Sequence, residues 1–224
     1  LGVTTRYDYD YLANRLTETR AVGTPDQVET AYQSDSHGQL ILEETPGIGQ
    51  MTAYGYDEWG NMTAVTDTLG AATTYVYDDV GRPTVTVDAA GGETAYVYDA
   101  ADRLRTVTDA EGGKTRYIYS DDGRDNLVRL INANGTQTTF VYDALDRLQS
   151  ETNGLGESTT YEYDNANRLV VRIDTAGRET RYAYDAKSRM RRADAYEVGA
   201  TEPYETNRFV YDGAGNLTWM ANGH

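Results

Sequence analysis

The sequence predicts an all-β fold, a repetitive antiparallel strip of about ten β-hairpins that curls as a spiral shell or a solenoid-like sheet. Three observations predict it. A short motif recurs along the whole chain, polar and aromatic residues alternate within it, and little apolar material is available for a globular core. The 224 residues include 20 tyrosines but only two phenylalanines and two tryptophans, and 39% are hydrophobic. In an average soluble domain, roughly 45–50% of the residues are hydrophobic. We therefore expect no single round core.

The repeated motif is Thr-x-Tyr-x-Tyr-Asp or a close variant, as in residues 94–99 and 159–164. Its last residue falls at positions 10, 35, 57, 78, 99, 120, 143, 164, 185 and 212, so five of the nine intervals are 21 residues. Seventeen of the 20 tyrosines lie in the motif, and only Tyr11, Tyr196 and Tyr204 lie outside it. The tyrosine excess is therefore architectural, and it marks ten units with a nominal period of 21.

Each unit begins with a strand that runs into a tight turn. Thr94, Tyr96 and Tyr98 alternate with other residues, and β-branched and aromatic side chains favour a pleated strand. Asp99 then begins a turn in which its carboxylate can accept the backbone N–H two residues on. The fourth turn position suits a left-handed backbone, which glycine, asparagine and aspartate adopt best. Its occupants are Gly60, Gly81, Gly123, Gly215, Asn167, Asp102 and Asp146, with Ser188 as the exception.

A second turn follows ten residues after the first, at residues 67–70, 88–91, 109–112 and 174–177. Each unit thus contains two antiparallel strands of about seven or eight residues, and the chain about 20 strands. The tyrosines stay on one face only if one turn has an odd number of residues and the other an even number. We therefore expect a four-residue loop at the second turn.

A type I first turn with a glycine bulge sets the register of the hairpin. It predicts these opposed pairs: Tyr98 and Leu104, Tyr96 and Thr106, Thr94 and Thr108, Tyr163 and Leu169, Tyr161 and Val171, Thr159 and Ile173, Tyr77 and Pro83, Tyr75 and Val85, Thr73 and Val87. This tyrosine face is aromatic and aliphatic, so we expect it to pack or to curve inward. The opposite face is mostly polar, and we place on it Arg82, Arg103, Arg147 and Arg168.

The organisation predicted is a single repeat array over residues 1–224, with irregular outer units at 1–50 and 186–224. The irregular intervals predict longer loops from Ala21 to Glu29 and from Ala193 to Glu205. The first residues contain neither an initiator methionine nor a signal-peptide pattern, so we expect the chain to be a segment of a longer one.

Composition excludes several functions. The formal net charge of −16 repels phosphate backbones, which argues against nucleic-acid binding. No stretch of about 18 apolar residues occurs, which argues against membrane insertion by a helix. The absence of cysteine excludes disulfides, thiolate metal sites and cysteine nucleophiles.

No catalytic, cofactor or metal site is predicted. The two histidines, His37 and His224, have no partner at a suitable spacing. The motif aspartates are explained by turn geometry, which we favour over glycosidase-like carboxylate pairs. Calcium requires six to eight oxygen ligands, whereas each turn supplies one acidic residue, so only a ladder of adjacent turns could bind it. We expect a chain that is not an enzyme.

The motif Tyr-Asp-x-x-Gly-Arg-Leu, repeated at 21-residue spacing over essentially the whole chain, resembles the YD repeats of the RHS (rearrangement hotspot) proteins. Such repeats build bacterial RHS toxins, shell components of insecticidal toxin complexes, wall-associated toxins and animal teneurins. The structural motif residues are Tyr56, Asp57, Gly60, Tyr77, Asp78, Gly81, Arg82, Tyr98, Asp99, Arg103, Tyr142, Asp143, Arg147, Tyr163, Asp164, Arg168, Tyr184, Asp185, Arg189, Tyr211, Asp212 and Gly215.

The resemblance implies a secreted or cell-surface shell wall that encapsulates or carries a C-terminal toxin and contacts adjoining repeats. The core sequence that closes such shells, with its Asp-Pro autoprotease site, is missing, because none of the four prolines follows an aspartate. No cleavage or toxicity is therefore assigned to these residues. The alternative is an extracellular module that binds cell-surface carbohydrate or associates end to end into tubes or filaments.

Overall fold

Alternating threonines and tyrosines form the outgoing strand of each hairpin, and an aspartate-led turn ends it. The computed structural model describes residues 4–223 and divides into two units, residues 1–114 and 115–224. The first unit contains β1 Thr5–Tyr9, β2 Arg15–Arg20, β3 Val28–Ser34, β4 Leu40–Thr45, a 3-10 helix at Pro46–Ile48, β5 Gln50–Tyr56, β6 Met62–Asp67, β7 Ala72–Tyr77, β8 Pro83–Val87, β9 Glu93–Tyr98 and β10 Leu104–Thr108.

The second unit repeats the pattern, and its first strand begins at the last residue of unit one. Its strands are β11 Lys114–Tyr119, β12 Leu127–Ile131, β13 Gln137–Tyr142, β14 Leu148–Thr152, β15 Ser158–Tyr163, β16 Leu169–Ile173, β17 Glu179–Tyr184, β18 Met190–Tyr196, β19 Glu205–Tyr211 and β20 Leu217–Gly223. Within each unit, every strand pairs antiparallel with its neighbours in sequence. The predicted all-β hairpin repeat is confirmed.

The strands are five to seven residues long, shorter than the seven or eight predicted. A regular turn spans five residues from one closing residue to the other, as in residues 78–82 and 88–92. Two such turns leave about half of a 21-residue repeat for two strands.

A β-bulge corrects the predicted register. Tyr77 lies opposite Pro83 as expected, but Val85 then pairs with Val76 and Thr86 with Tyr75. Thr84 is the extra residue. The equivalent shift places Val107 opposite Tyr96 and Arg172 opposite Tyr161, so the predicted pairs beyond the first in each hairpin are wrong by one residue.

The second turn is not the four-residue loop predicted. Asp67 closes it by donating its N–H to the Ala71 carbonyl at 3.0 Å, the same pattern that Asp78 and Arg82 form at the first turn. The change of parity occurs instead at the bulge after the first turn, because one unpaired residue there returns the next tyrosines to the original face. The predicted change of parity therefore exists, but the extra residue lies in the return strand, at Thr84, and not in the second turn.

Few side chains are buried, and many along the hairpins are half-buried. Tyr196, 8% exposed, is the one buried hydrophobic side chain among the described residues, and the other buried residues are polar: Glu18, Thr19, Thr45, Thr159 and Asp194. In β7, Thr73, Tyr75 and Tyr77 are half-buried, whereas Thr74 and Val76 on the other face are exposed. The expectation of no round apolar core is confirmed.

Three longer connections interrupt the regular hairpins, at residues 21–27, 120–126 and 197–204. Residues 21–27 connect β2 to β3, close to the predicted loop. The predicted loop from Ala193 to Glu205 is wrong at both ends, since Ala193–Tyr196 belong to β18 and Glu205 begins β19. The alternation of Ala193, Ala195 and their neighbours continues the strand beyond the length of the regular repeat. In residues 4–223, no helix is long and apolar enough to span a membrane.

Candidate functional site

The motif aspartates hold the first turn of each repeat together. The Oδ1 atom accepts the backbone N–H four residues on at 2.8–3.1 Å in all seven site aspartates. In six of them it also accepts the N–H two residues on, as the turn chemistry predicts. The seven aspartates are Asp57, Asp78, Asp99, Asp143, Asp164, Asp185 and Asp212.

The fourth turn residue has a left-handed backbone whatever its type. Gly60, Gly81 and Gly215 have φ of 89°, 80° and 96°. The same conformation is adopted at Asp102, Asp146, Asn167 and Ser188, with φ between 59° and 63°. Ser188, the exception in the sequence, therefore folds like the rest and carries the backbone strain of a residue with a Cβ atom.

The tyrosine before each motif aspartate reaches back to the preceding hairpin. Its hydroxyl donates a hydrogen bond to the carbonyl of the first residue of the preceding return strand at 2.8–3.1 Å. This bond is made by Tyr56, Tyr77, Tyr98, Tyr142, Tyr163, Tyr184 and Tyr211, which accounts for all seven site tyrosines.

The motif arginine joins its own turn to the next repeat. Its Nε donates to Oδ2 of its own turn aspartate at 2.7–2.8 Å, which occurs in Arg82, Arg103, Arg147, Arg168 and Arg189. In four of these, the guanidinium carbon also lies 4.6–4.8 Å from the ring centroid of the next motif tyrosine, within cation–π range.

This contact corrects the predicted faces. The predicted position of the arginines on the face opposite the tyrosines is wrong, because Arg82 covers Tyr98 and Arg147 covers Tyr163. The arginine sits at the turn, where its long side chain can reach the neighbouring hairpin. Its Nη1 also reaches the next turn, at Asp102 from Arg82 and at Asn167 from Arg147.

These contacts shift the titration of the turn aspartates. The Arg103, Arg147 and Arg168 side chains, with backbone N–H bonds, lower the pKa of Asp99, Asp143 and Asp164. For Asp78 and Asp185 the backbone N–H of the following arginine is the largest cause of the lowered pKa. Burial raises the pKa of the Tyr98, Tyr142 and Tyr184 phenols, which favours their neutral, hydrogen-donating form.

Together these contacts form what we call the tyrosine–aspartate–arginine ladder, made of the motif residues named above. In it, aspartate closes the turn, the tyrosine hydroxyl bonds to the preceding hairpin, and the arginine guanidinium contacts the next one. The sequence located the residues, but it did not show that arginine bonds forward to the next repeat and tyrosine backward to the preceding one. The fixed offset of 16 residues from Arg82 to Tyr98, repeated at Arg147 and Arg168, was the available signal.

Two further clusters escaped the sequence analysis. Tyr196 lies outside the motif, yet it is buried, with the Arg181 guanidinium 4.6 Å from its ring centroid. Glu18 is buried between Arg15 and Arg20, at 3.0 and 2.6 Å. Both clusters lie where longer strands replace the regular repeat.

No group of three or more potential metal-ligating side chains occurs in residues 4–223. His37 lies in the predicted turn, with Nδ1 3.6 Å from Asp35 Oδ2. His224 lies outside the described residues.

The fold and the ladder define a YD-repeat β-hairpin protein. The family described as Teneurin YD-shell matches residues 3–159, more than half of the chain, and the RHS repeat matches residues 142–177. The chain belongs to the YD-shell family. A comparison with curated proteins found no match.

Several solved structures share the fold. The chain is similar to the crystal structure of TcdB2-TccC3-Cdc42, with 18% identity and a TM-score of 0.52, and to TcdB2-TccC3 without its hypervariable C-terminal region, with 19% and 0.53. It is also similar to the Tc holotoxin pore of Photorhabdus luminescens with a TccC3 mutation, with 18% identity and a TM-score of 0.50. Each match covers 97% of this chain and 15% of the other, so the chain spans about 15% of the length of these relatives.

Proposed function

We propose that the chain is a non-enzymatic wall segment of a secreted or cell-surface YD-repeat shell that encloses or carries a C-terminal toxin. The single observation that carries this proposal is the ladder, which bonds neighbouring hairpins within each unit with no globular core among the described residues. Such a structure extends by adding repeats, because each repeat depends on its neighbours alone. The motif residues then have a structural role, and the partners are adjoining repeats and an enclosed toxin domain.

The fold likeness supports the shell part of the proposal. The matched structures are Tc toxin complexes, and one of them is described by the removal of a hypervariable C-terminal region from TccC3. A chain of this family that spans 15% of such a protein fits a stretch of wall.

Protease protection of the longer parent chain tests the enclosure. If the C-terminal segment is enclosed, it resists protease in the intact protein and is digested once the shell is opened by denaturant. Digestion of that segment at the same rate in both states would disprove enclosure. Electron microscopy of the same sample would show whether the repeats form a hollow wall.

The non-enzymatic part needs its own test. A panel of glycoside, ester and peptide substrates should show no turnover above that of a chain unfolded by denaturant. Turnover that disappears on replacing a single carboxylate, such as Asp174→Asn, would contradict the proposal.

A second candidate, end-to-end association, is favoured by strand β20. Within its unit β20 pairs with β19, and Leu217, Trp219 and Met220 are each more than half exposed. Exposed strand edges with apolar side chains promote pairing with another chain. Light scattering of the protein across concentrations distinguishes the candidates, because growing polymers favour assembly and a constant monomer mass does not.

A further inference from the structure

Five repeats lack the arginine of the ladder and have Asn14, Gln39, Asn61, Asn126 or Asn216 at its position, and two neighbours among them each contain a groove. The residue after the first turn is Gln39 in one repeat and Asn61 in the next. Asn61 Nδ2 donates to Asp57 Oδ2 at 2.9 Å, and Gln39 Nε2 donates to the Gly60 carbonyl at 3.3 Å. Both side chains are neutral and shorter than arginine, so each replaces part of the hydrogen bonding but none of the charge.

A groove lies at each of these two positions. The first, of about 650 Å³, is lined by Asp35, Gln39, Tyr56 and Gly60 among others. The second, of about 710 Å³, is lined by the corresponding residues one repeat later, Asp57, Asn61, Tyr77 and Gly81. These four positions are the turn aspartate, the residue after the turn, and the next repeat's tyrosine and fourth turn residue. In the arginine-containing repeats they surround the guanidinium.

The two grooves are joined by an exposed aromatic side chain. Trp59 lines both grooves and is 78% exposed. In the described chain no guanidinium lies over the rings of Tyr56 and Tyr77, whereas Tyr98, in the following repeat, lies under Arg82. Aromatic faces and an indole edge in one place suit a planar cation.

Apart from His37, which lines the first groove beside Asp35, the charged side chains that line the two grooves are all carboxylates. Asp35, Asp57 and Glu58 line the first groove, and Asp57, Asp78 and Asp79 line the second. Arg82 neutralises Asp78 at 2.6 Å, but Asp57 has an amide partner in place of a cation. The net charge of −16 adds a long-range attraction for basic partners.

We propose that these two grooves bind two basic side chains, arginine in preference to lysine, from an extended segment of a partner polypeptide. Each incoming guanidinium would take the place that the chain's own arginine takes in the other repeats, between a turn aspartate and a tyrosine ring. Equivalent positions in successive repeats are two strands apart, about 10 Å. This matches arginines three residues apart in an extended polyproline II segment, which has three residues per turn and rises about 3.1 Å per residue, so that both arginines point to the same side. The proposal does not depend on whether the chain encloses a toxin.

The test uses a fluorescein-labelled peptide containing Arg-Ser-Ser-Arg, with fluorescence anisotropy as the measurement. We expect saturable binding that weakens as salt is raised. The lysine version should bind more weakly, because a compact ammonium lacks the planar fork. The citrulline version, in which a neutral urea replaces each guanidinium, should bind at least tenfold more weakly. Equal binding of the arginine and citrulline peptides would overturn the proposal.

Self-filling variants locate the site. Asn61→Arg and Gln39→Arg supply the guanidinium from within, as in the other repeats, so the fold should persist and peptide affinity should fall about tenfold for the double variant. Leu69→Arg is the matched control, because it adds the same charge at a 92% exposed turn residue at the far end of β6 and β7. If peptide affinity falls equally in the double variant and in a control with two such distant arginines, the proposal is overturned, since the change in net charge would explain both losses.

A further variant is Trp59→Ala. Because the Trp59 side chain is highly exposed, its removal should not disturb folding. It should weaken the arginine peptide severalfold with an unchanged circular dichroism spectrum. Unchanged affinity, or binding of neutral oligosaccharides to these grooves in place of the peptide, would count against a guanidinium site.

Discussion

The guanidinium carbon of Arg82 lies 4.6 Å from the ring centroid of Tyr98, and the Tyr98 hydroxyl donates to the carbonyl of Pro83, the residue that follows Arg82. The two side chains thus cross between the same two hairpins in opposite directions. Arg168 and Tyr184 form the same pair, with Leu169 as acceptor. The sequence motif is therefore a two-way link between repeats as well as a turn signal.

Replacing Arg168 with alanine should destabilise the second unit. The change removes the cation–π contact with Tyr184, which contributes on the order of 1 kcal/mol when partly desolvated. Arg168→Lys should recover part of the loss, since it keeps the charge without the planar fork. Arg178→Ala is the control, because Arg178 pairs with Asp174 in the same way but no ring in the described chain lies beneath it. Urea unfolding measures all three, and equal losses at the two positions would contradict a role for stacking.

The ladder should make the fold sensitive to acid. The pKa of Asp143 is lowered by Arg147, so its contribution to stability is present above the unfolded pKa of about 3.9 and is lost as pH falls through the lower folded pKa. Asp143→Asn should therefore destabilise the protein at pH 7 and have a much smaller effect at pH 2. Urea unfolding at both pH values checks this, and a constant difference between wild type and variant would refute the linkage.

The Asp143 turn shows how much of the site the sequence contained. Strand alternation, the turn aspartate and the first cross-strand pair follow from local chemistry. Because the motif occurs ten times, the pattern is clear in spite of variation at single positions. The bulge did not follow, because a parity change at either turn satisfies the same alternation of tyrosines. The stacking of Arg147 on Tyr163 did not follow either, since face assignment by alternation ignores the reach of a long side chain at a turn.

Alkaline pH should weaken the fold through the tyrosines. Burial raises the pKa of Tyr142 and Tyr184, so the stability they contribute is full below the unfolded pKa of about 10 and is lost as pH rises through the folded pKa. A phenolate also cannot donate to the Leu127 or Leu169 carbonyl. Tyr184→Phe should be less stable at pH 7 and should lose less stability between pH 9 and about 12 than the wild type. Parallel declines in chemical unfolding experiments would show that Tyr184 is not responsible.

The second turn should depend on glycine for backbone reasons alone. Gly91 has φ of +86°, and a Cβ atom added there would meet nothing within 4 Å. Gly91→Ala should therefore cost about 1–2 kcal/mol from the left-handed conformation itself. Gly91→Asn should cost less, because asparagine tolerates this conformation and adopts it at Asn167 in an equivalent turn position. Thermal unfolding ranks the two variants, and equal stability of alanine and asparagine would refute this explanation.

Deleting Thr84 should destabilise the first unit more than any substitution in that unit. Thr84 is the unpaired residue between the Tyr77–Pro83 and Val76–Val85 pairs, and its hydroxyl donates to the Val76 carbonyl at 3.2 Å. Without it, β8 would pair in a register that turns Tyr96 and Tyr98 to the opposite face, away from Thr86 and the Pro83 carbonyl. Hydrogen exchange should show lost protection in β8 and β9, while Thr84→Ala, which keeps the bulge, should retain it. Full protection in the deletion variant would mean that the second turn can absorb the parity change after all, by adopting the four-residue loop that the sequence first suggested.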